Sequence, residues 1–266
     1  MNSRWKKGAA ALATVLMLQT PAFAAGVTVD GSPLEPGEGW IEGGTSYITL
    51  RAVEARGPYE LSWDGSSAWL TGGGLELQAQ PGLNYITANG RALYVEEGVR
   101  VVDGKLTLPM RVVAQATGGA LSWDAPSSTA RLSLQGSTPA RAAYGEEDLY
   151  WLSRVISAES RGESLLGQMA VGNVVLNRVK SERYPNTIRE VVFDTKHGVQ
   201  FEPTANGTIY DEPARTSVLA AKLCLEGARV VGDCLYFYAP ALSAGTWIVN
   251  NCTYYTTIGC HKFYLD

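Results

Sequence analysis

The chain has 266 residues, 18% of them charged, with a formal net charge of −4. That balance is ordinary for a soluble globular protein and gives no electrostatic footing on a phosphate backbone, so nucleic acid is not an expected partner. The count of four cysteines, Cys224, Cys234, Cys252 and Cys260, all near the C-terminus, bears on compartment.

The compartment is set at the start. Arg4, Lys6 and Lys7 form a basic stretch, and Gly8 to Leu18 is apolar but too short to span a bilayer. Ala22-Phe23-Ala24 supplies a small-x-small cleavage site. Residues 1–25 therefore read as a secretory signal peptide, with an uncleaved anchor as the alternative. No later apolar run is long enough to span a membrane, so no stable span is expected after cleavage. The expected location is outside the cell or in its envelope. An even cysteine count in an exported chain suggests two disulfides, with three pairings open. A zinc site is the rival, but neither CxxC pairs nor histidine spacing supports it.

The remaining residues, roughly 240, suit two modest domains. Residues 26–135 are rich in Gly and Ser, with short alternating runs and frequent turn signals. They carry an internal repeat. Leu50-Arg51-x-Val53 followed by Leu61-Ser62-Trp63-Asp64 recurs sixty residues later as Met110-Arg111-x-Val113 and Leu121-Ser122-Trp123-Asp124. A duplicated strand–helix–hairpin unit is expected. These motifs resemble the copper amine oxidase N-terminal-like domain of bacterial cell-surface enzymes. The segment has no histidine and no cysteine, so it lacks the ligands a copper ion wants, leaving a binding or spacer role. Trp40, Trp63, Trp69 and Trp123 could stack on sugar rings, though repeated tryptophans at equivalent positions are more often core.

Residues 136–145, Gly-Ser-Thr-Pro-Ala-Arg-Ala-Ala-Tyr-Gly, form a linker without periodicity. The second domain, 146–266, begins with a helix whose stripe is Leu149, Leu152, Val155 and Ile156. Glu159 follows Val155 and Ile156 by four and three residues and so continues the stripe. Gly162 is expected to stop this helix. A carboxylate at the end of an apolar stripe loses hydration, which favours its protonated form. A rise of about two pKa units corresponds to about 2.7 kcal/mol and makes a competent general acid near neutral pH. The alternative is a helix-end glutamate that snorkels to solvent.

A second helix is expected over Leu165 to Lys180, with Asn173 and Asn177 on or near its apolar face and Arg178 adjoining. Such amides serve structure by bonding backbone or orient a nearby carboxylate. Tyr184 to Thr187 reads as a turn, 188–193 as a short apolar segment, and 194–211 as a polar loop. A third helix is expected from Asp211-Glu212-Pro213 to Glu226. Strand texture then appears at 235–238, 247–249, 256–258 and 262–264.

Val155-Ile156-x-Ala158-Glu159-x-Arg161-Gly162-Glu163, Val174-Val175-Leu176-Asn177-Arg178-Val179, Leu235-Tyr236-Phe237-Tyr238-x-Pro240 and Ile258-Gly259-x-His261-x-Phe263 fall in order with sensible spacing. Together they resemble the catalytic domain of the spore cortex-lytic, SleB-type cell wall hydrolases over nearly the whole of this half. Ser160, where the family more often has Ala, and Cys260 depart from the pattern. The resemblance implies a lysozyme-like α+β catalytic domain behind a mostly-β duplicated module, an α+β chain overall. It also implies cleavage of peptidoglycan glycan strands by lytic transglycosylation, without metal or organic cofactor, with Glu159 as the catalytic residue. One carboxylate then suffices where glycosidases ordinarily use two. Glu159 protonates the glycosidic oxygen and afterwards takes the proton from the sugar's own C6 hydroxyl, closing a 1,6-anhydro ring.

Glu163 is a candidate second carboxylate or an ion-pair partner of Arg161 or Arg178. Gln200, Glu202 and Thr204 are candidate substrate contacts, since loops on a scaffold often line clefts. Tyr236, Tyr238 and Trp247 are candidates for a sugar platform, and His261 for a structural hydrogen bond or a sugar contact. Asn177 and Arg178 are expected to support the site. The rivals are hydrolysis by the same glutamate, a non-catalytic wall-binding protein, and a cysteine peptidase using Cys260 and His261. Neighbours on a strand point to opposite faces and make a poor nucleophile–base pair.

Overall fold

The computed structural model describes residues 26–196 and 200–266. The expected signal peptide lies outside these residues. Among the described residues no helix is long and apolar enough to cross a membrane.

β1 (Gly26–Val29) and β2 (Ser32–Pro33) are followed by the hairpin β3 (Gly39–Glu42) and β4 (Thr45–Thr49), then by α1 (Leu50–Glu54). β5 (Glu60–Trp63), β6 (Ala68–Gly72), β7 (Leu75–Ala79), β8 (Tyr85–Ala88) and β9 (Arg91–Tyr94) form a five-stranded antiparallel meander. The hairpin β10 (Arg100–Val102) and β11 (Lys105–Pro109) leads into α2 (Met110–Thr117) and the hairpin β12 (Ala120–Asp124) and β13 (Thr129–Ser133). β13 closes beside β1 in parallel.

The duplicated strand–helix–hairpin unit is therefore present twice, as β4–α1–β5–β6 and β11–α2–β12–β13. The copies meet where β4 and β11 pair antiparallel, at the centre of the sheet β10-β11-β4-β3. Alternation drives the burial: Leu75, Leu77 and Ala79 of β7 point inward while Glu76 is exposed. Leu50 and Val53 of α1 and Met110 and Val113 of α2 fill the same core, and each such side chain contributes about 2 kcal/mol. Thr49 caps α1 by accepting the Ala52 N–H at 3.2 Å. Gly118 ends α2 at φ 72°, where a Cβ would stand 2.0 Å from the Thr138 carbonyl oxygen.

Two tryptophans overturn the core expectation: Trp63 and Trp123 are each 57% exposed. They sit near the ends of β5 and β12, which are edge strands, so the chain there runs past the core. Trp40 and Trp69 are partly buried.

The C-terminal half comprises α3 (Glu146–Ser160), α4 (Leu165–Lys180), α5 (Ile188–Val192), α6 (Glu202–Asn206), a 3-10 turn at Thr208–Tyr210 and α7 (Arg215–Leu225). β14 (Tyr236–Tyr238), α8 (Thr246–Asn251), β15 (Thr253–Ile258) and β16 (His261–Leu265) complete it. Helices α3, α4 and α7 pack on one another, and the sheet β14-β16-β15 lies beside α4.

Several local expectations change. Trp247–Val249 is helical, because Gly245 turns the chain at φ 56° against the Tyr238 ring and Ile248 packs inward. Tertiary context here overrides the strand preference of Ile and Val. Within 194–211, Phe201 and Ile209 are buried and anchor the short helical pieces. The third long helix starts at Arg215, past Pro213. Gly162 sits in the turn after α3 without left-handed φ, and Ser164 caps α4 by accepting the Gly167 N–H. All four cysteines are free, against the expected disulfides. Cys224 is buried on α7, donating to the Met169 carbonyl, while Cys234 is buried in a separate cluster and Cys260 is exposed on a turn.

The two halves touch. α7 lies along β9, and Ala92 joins the helical core. Arg91 donates Nε and Nη2 to the two carboxylate oxygens of Glu226 at 3.0 and 2.6 Å. Its Nη1 donates to the Gln115 carbonyl at 2.8 Å.

Candidate active site

Glu159 occupies the last turn of α3, where the buried stripe of Leu152, Val155 and Ile156 ends. Its side chain is partly buried. Burial lifts its carboxyl from the ordinary 4.5 to about 7, repulsion from Glu202 adds to the rise, and Arg178 opposes it. Such a group shares its proton evenly at neutral pH and can both give and take one.

Arg178 is set by α4. Asn173 accepts the Val230 N–H at 2.7 Å and donates to the Ala228 carbonyl at 2.8 Å. One turn on, Asn177 donates to the carbonyls of Gly232 and Cys234 at 2.8 and 3.0 Å. Arg178 Nε then donates to the Leu235 carbonyl at 2.8 Å. These bonds stitch 228–235 to the helix and deliver Tyr236. The Arg178 guanidinium is buried and lies 5.1, 5.2 and 5.8 Å from the ring centres of Tyr184, Phe201 and Tyr236. Its Nη1 is buried with no hydrogen-bond partner among the described residues.

Beside Arg178 lies a cavity of about 580 Å³, walled by Arg178, Arg183, Tyr184, Gln200, Tyr236 and Trp247 among others. Trp247 is 58% exposed and meets Tyr236 edge-on at 5.6 Å between ring centres. Cations and aromatic faces in one hollow suit a sugar bearing acidic groups. Glu159 is not in the lining of this cavity; it is linked to it through the charge of Arg178, which lines the cavity and acts on the Glu159 carboxyl.

The expected site residues divide accordingly. Gln200 and Tyr236 line the cavity, and Glu202, exposed at the start of α6, acts on Glu159 through charge. Thr204 is turned back on its own helix, where its hydroxyl donates to the Phe201 carbonyl at 2.8 Å. The Tyr238 side chain is engaged with Tyr264 and packs over Gly245. His261 is buried behind Phe237, a residue of the cavity wall, and is not itself in the lining; its Nδ1 is 3.8 Å from Glu163 Oε1. Burial lowers its pKa, with Glu163 opposing.

Glu163 pairs with neither Arg161 nor Arg178. Its carboxylate accepts the Cys260 N–H at 3.3 Å and closes over Gly259, where a Cβ would stand 1.8 Å from Oε2. It clasps the β15–β16 turn to the α3–α4 turn. Arg183, Tyr184 and Lys196 also border the cavity, outside the expected site residues. Arg183-Tyr184 beside a turn proline was the available signal, but only folding brings it to Tyr236, whose hydroxyl accepts from Arg183 Nη2 at 3.0 Å.

Cys260 and His261 do not make a nucleophile–base pair. The hydrogen bond to Glu163 raises the Cys260 thiol pKa and burial lowers that of His261, the reverse of a thiolate–imidazolium. Among the described residues no group of three or more His, Cys, Asp or Glu side chains is arranged to hold a metal ion.

Comparison with known proteins places the chain in a class. Residues 162–264 match the cell wall hydrolase family, and residues 28–132 match the copper amine oxidase N-terminal domain. The chain belongs to the cell wall hydrolase family. The cell wall hydrolase CwlJ of Oceanobacillus iheyensis is 30% identical over 103 residues, 36% of this chain and 72% of that one. The spore cortex-lytic enzyme of Bacillus cereus is 36% identical over 105 residues, 40% of this chain and 39% of that one. The chain thus spans about two fifths of the length of such relatives. Among solved structures, the catalytic domain of the germination-specific lytic transglycosylase SleB from Bacillus anthracis is 33% identical, covering 47% of this chain and 100% of that one, with a TM-score of 0.43. The family match begins three residues past Glu159, so it takes in Arg178 and the cavity but not the glutamate. The N-terminal match does not bring copper with it, since 26–135 contains no histidine or cysteine.

Proposed function

We propose that this protein cleaves the glycosidic bond between N-acetylmuramic acid and N-acetylglucosamine in peptidoglycan, as a lytic transglycosylase. The observation that carries the reading is Glu159, its proton held to about pH 7, beside an arginine that walls a cavity of aromatic and cationic side chains. The relatives named above, spore cortex-lytic enzymes and a lytic transglycosylase, support the substrate and reaction class.

The steps follow from this inventory. Glu159 donates its proton to the bridging oxygen, the bond to the muramic anomeric carbon breaks, and positive charge develops on that sugar. The carboxylate left behind takes the proton of the C6 hydroxyl, whose oxygen closes on the anomeric carbon. The tether replaces water as nucleophile and supplies the effective-molarity advantage of an intramolecular reaction. Arg178 lowers the proton affinity of Glu159, which eases the first transfer, and the rings of Tyr236 and Trp247 in the cavity wall are offered to the sugar. Glu202, exposed and acidic, is suited to the developing cation.

In this reading residues 1–25 export the chain, 26–135 form a binding or spacer module, 136–145 a linker, and 146–266 the catalytic domain acting on spore cortex during germination. Purified cortex digested by wild-type protein should release fragments ending in 1,6-anhydromuramic acid, and Glu159→Gln should release them about 10²–10⁴-fold more slowly. Reducing ends in place of anhydro ends would instead assign a hydrolase using the same glutamate. Release by neither protein would leave a wall-binding protein, and equal release by both would take the chemistry away from Glu159.

A further inference from the structure

The internal repeat builds two matching surface grooves. The first is lined by Arg51, Leu61, Ser62, Trp63, Ala68 and Gly104 among others, the second by Arg111, Leu121, Ser122, Trp123, Ala130 and Gly44. Their volumes are about 420 and 360 Å³. In each, the tryptophan is paired across its hairpin with an alanine, Trp63 with Ala68 and Trp123 with Ala130. That small neighbour leaves the indole uncovered.

Each groove is also shared between the copies. Gly104, in the β10–β11 turn of the second copy, faces Trp63 of the first, and Gly44, in the β3–β4 turn of the first, faces Trp123 of the second. Both glycines are left-handed, at φ 74° and 82°. The arginines, from the first turns of α1 and α2, are exposed and in no ion pair among the described residues. Lys105 adds a second cation to the first groove, and neither groove has an acidic residue in its lining. Arg111 also borders an adjoining hollow that holds Glu96 and Glu97.

Two such indoles, held open at equivalent places beside a cation and a serine hydroxyl in a chain of net charge −4, have the form of a duplicated ligand site. We propose that the two grooves bind the glycan strand of peptidoglycan at two points. The indole takes the apolar face of an N-acetylated sugar, Ser62 or Ser122 its polar edge, and Arg51 or Arg111 the carbonyl oxygens of its acetamido and lactyl-amide groups. The identity of the occupant rests on the catalytic reading above; the existence of the sites does not. With two sites on one body, the second contact is intramolecular, and losing either returns the module to single-point binding.

The test is retention of the full chain on purified insoluble peptidoglycan, with Glu159→Gln throughout so that the matrix stays intact. Trp63→Ala and Trp123→Ala should each weaken retention about tenfold, and the double variant about a hundredfold. Trp63→Phe/Trp123→Phe should keep most of it. Circular dichroism and Tm should be unchanged, since both side chains are exposed. Soluble N-acetylglucosamine hexamer should compete. Undiminished retention by the double alanine variant would overturn the proposal, as would competition by acidic stem peptide alone. A change in the sedimenting mass of the double variant would also overturn it, assigning the indoles to contact between copies. Cleavage by the otherwise wild-type chain is read separately, so the binding claim and the Glu159 claim fail independently.

Discussion

Arg178 donates Nε to the Leu235 carbonyl at 2.8 Å while its charge lowers the proton affinity of Glu159. One side chain thus anchors the strand that carries Tyr236 and biases the proposed acid. Replacing it by methionine keeps the stem and removes both effects. The Glu159 carboxyl should then rise above about 7, and the alkaline limb of the pH–rate profile should move to higher pH. The stranded Leu235 carbonyl should cost about 1–3 kcal/mol of stability, read by urea unfolding. An unmoved alkaline limb in a folded variant would separate Arg178 from Glu159.

Glu159 itself has a stability signature. Its pKa is raised on folding, so stability is full below the unfolded value near 4.5 and falls as pH rises through about 7. Glutamine lacks this penalty. Glu159→Gln should therefore melt at the same temperature as wild type at pH 4 and higher at pH 8, the gain reaching about 2–3 kcal/mol. Thermal melts at the two pH values measure it.

The Arg91–Glu226 pair joins the two halves with side chains only 10% and 8% exposed. Glu226→Ala leaves a buried guanidinium without its carboxylate and should cost about 3 kcal/mol. The double change Arg91→Met/Glu226→Leu should recover most of that loss. Denaturant midpoints of the three variants check the expectation.

The cysteines should behave as thiols. Four should react per chain in denaturant without reductant, and Cys260 first in the native protein, since Cys224 and Cys234 are buried and Cys252 is partly so. Burial and neighbouring carboxylates raise all four thiol pKa values, so native reaction should be slow near neutral pH.

Legibility in the sequence followed the range of the forces involved. The duplicated unit and the helix Leu165–Lys180 were readable because periodicity and capping act within a few residues. The α3 stripe likewise pointed to the burial that sets Glu159. The strand preference at Trp247 and the core position expected of Trp63 and Trp123 give way, because helix and exposure there depend on what packs against them. Arg183 and Lys196 meet the cavity through contacts that no local pattern records. Glu163 was expected beside an arginine, but the partner that wins is a backbone N–H nearly one hundred residues away, at Cys260.

The most direct measurement is mass spectrometry of the fragments released from purified peptidoglycan by wild type and by Glu159→Gln. Wild type should yield muramic ends lighter by one water than reducing ends. The variant, folded and still bound to the substrate, should release them about 10²–10⁴-fold more slowly. Undiminished release of the same fragments by the variant would contradict the assignment of Glu159 as the group that moves the proton.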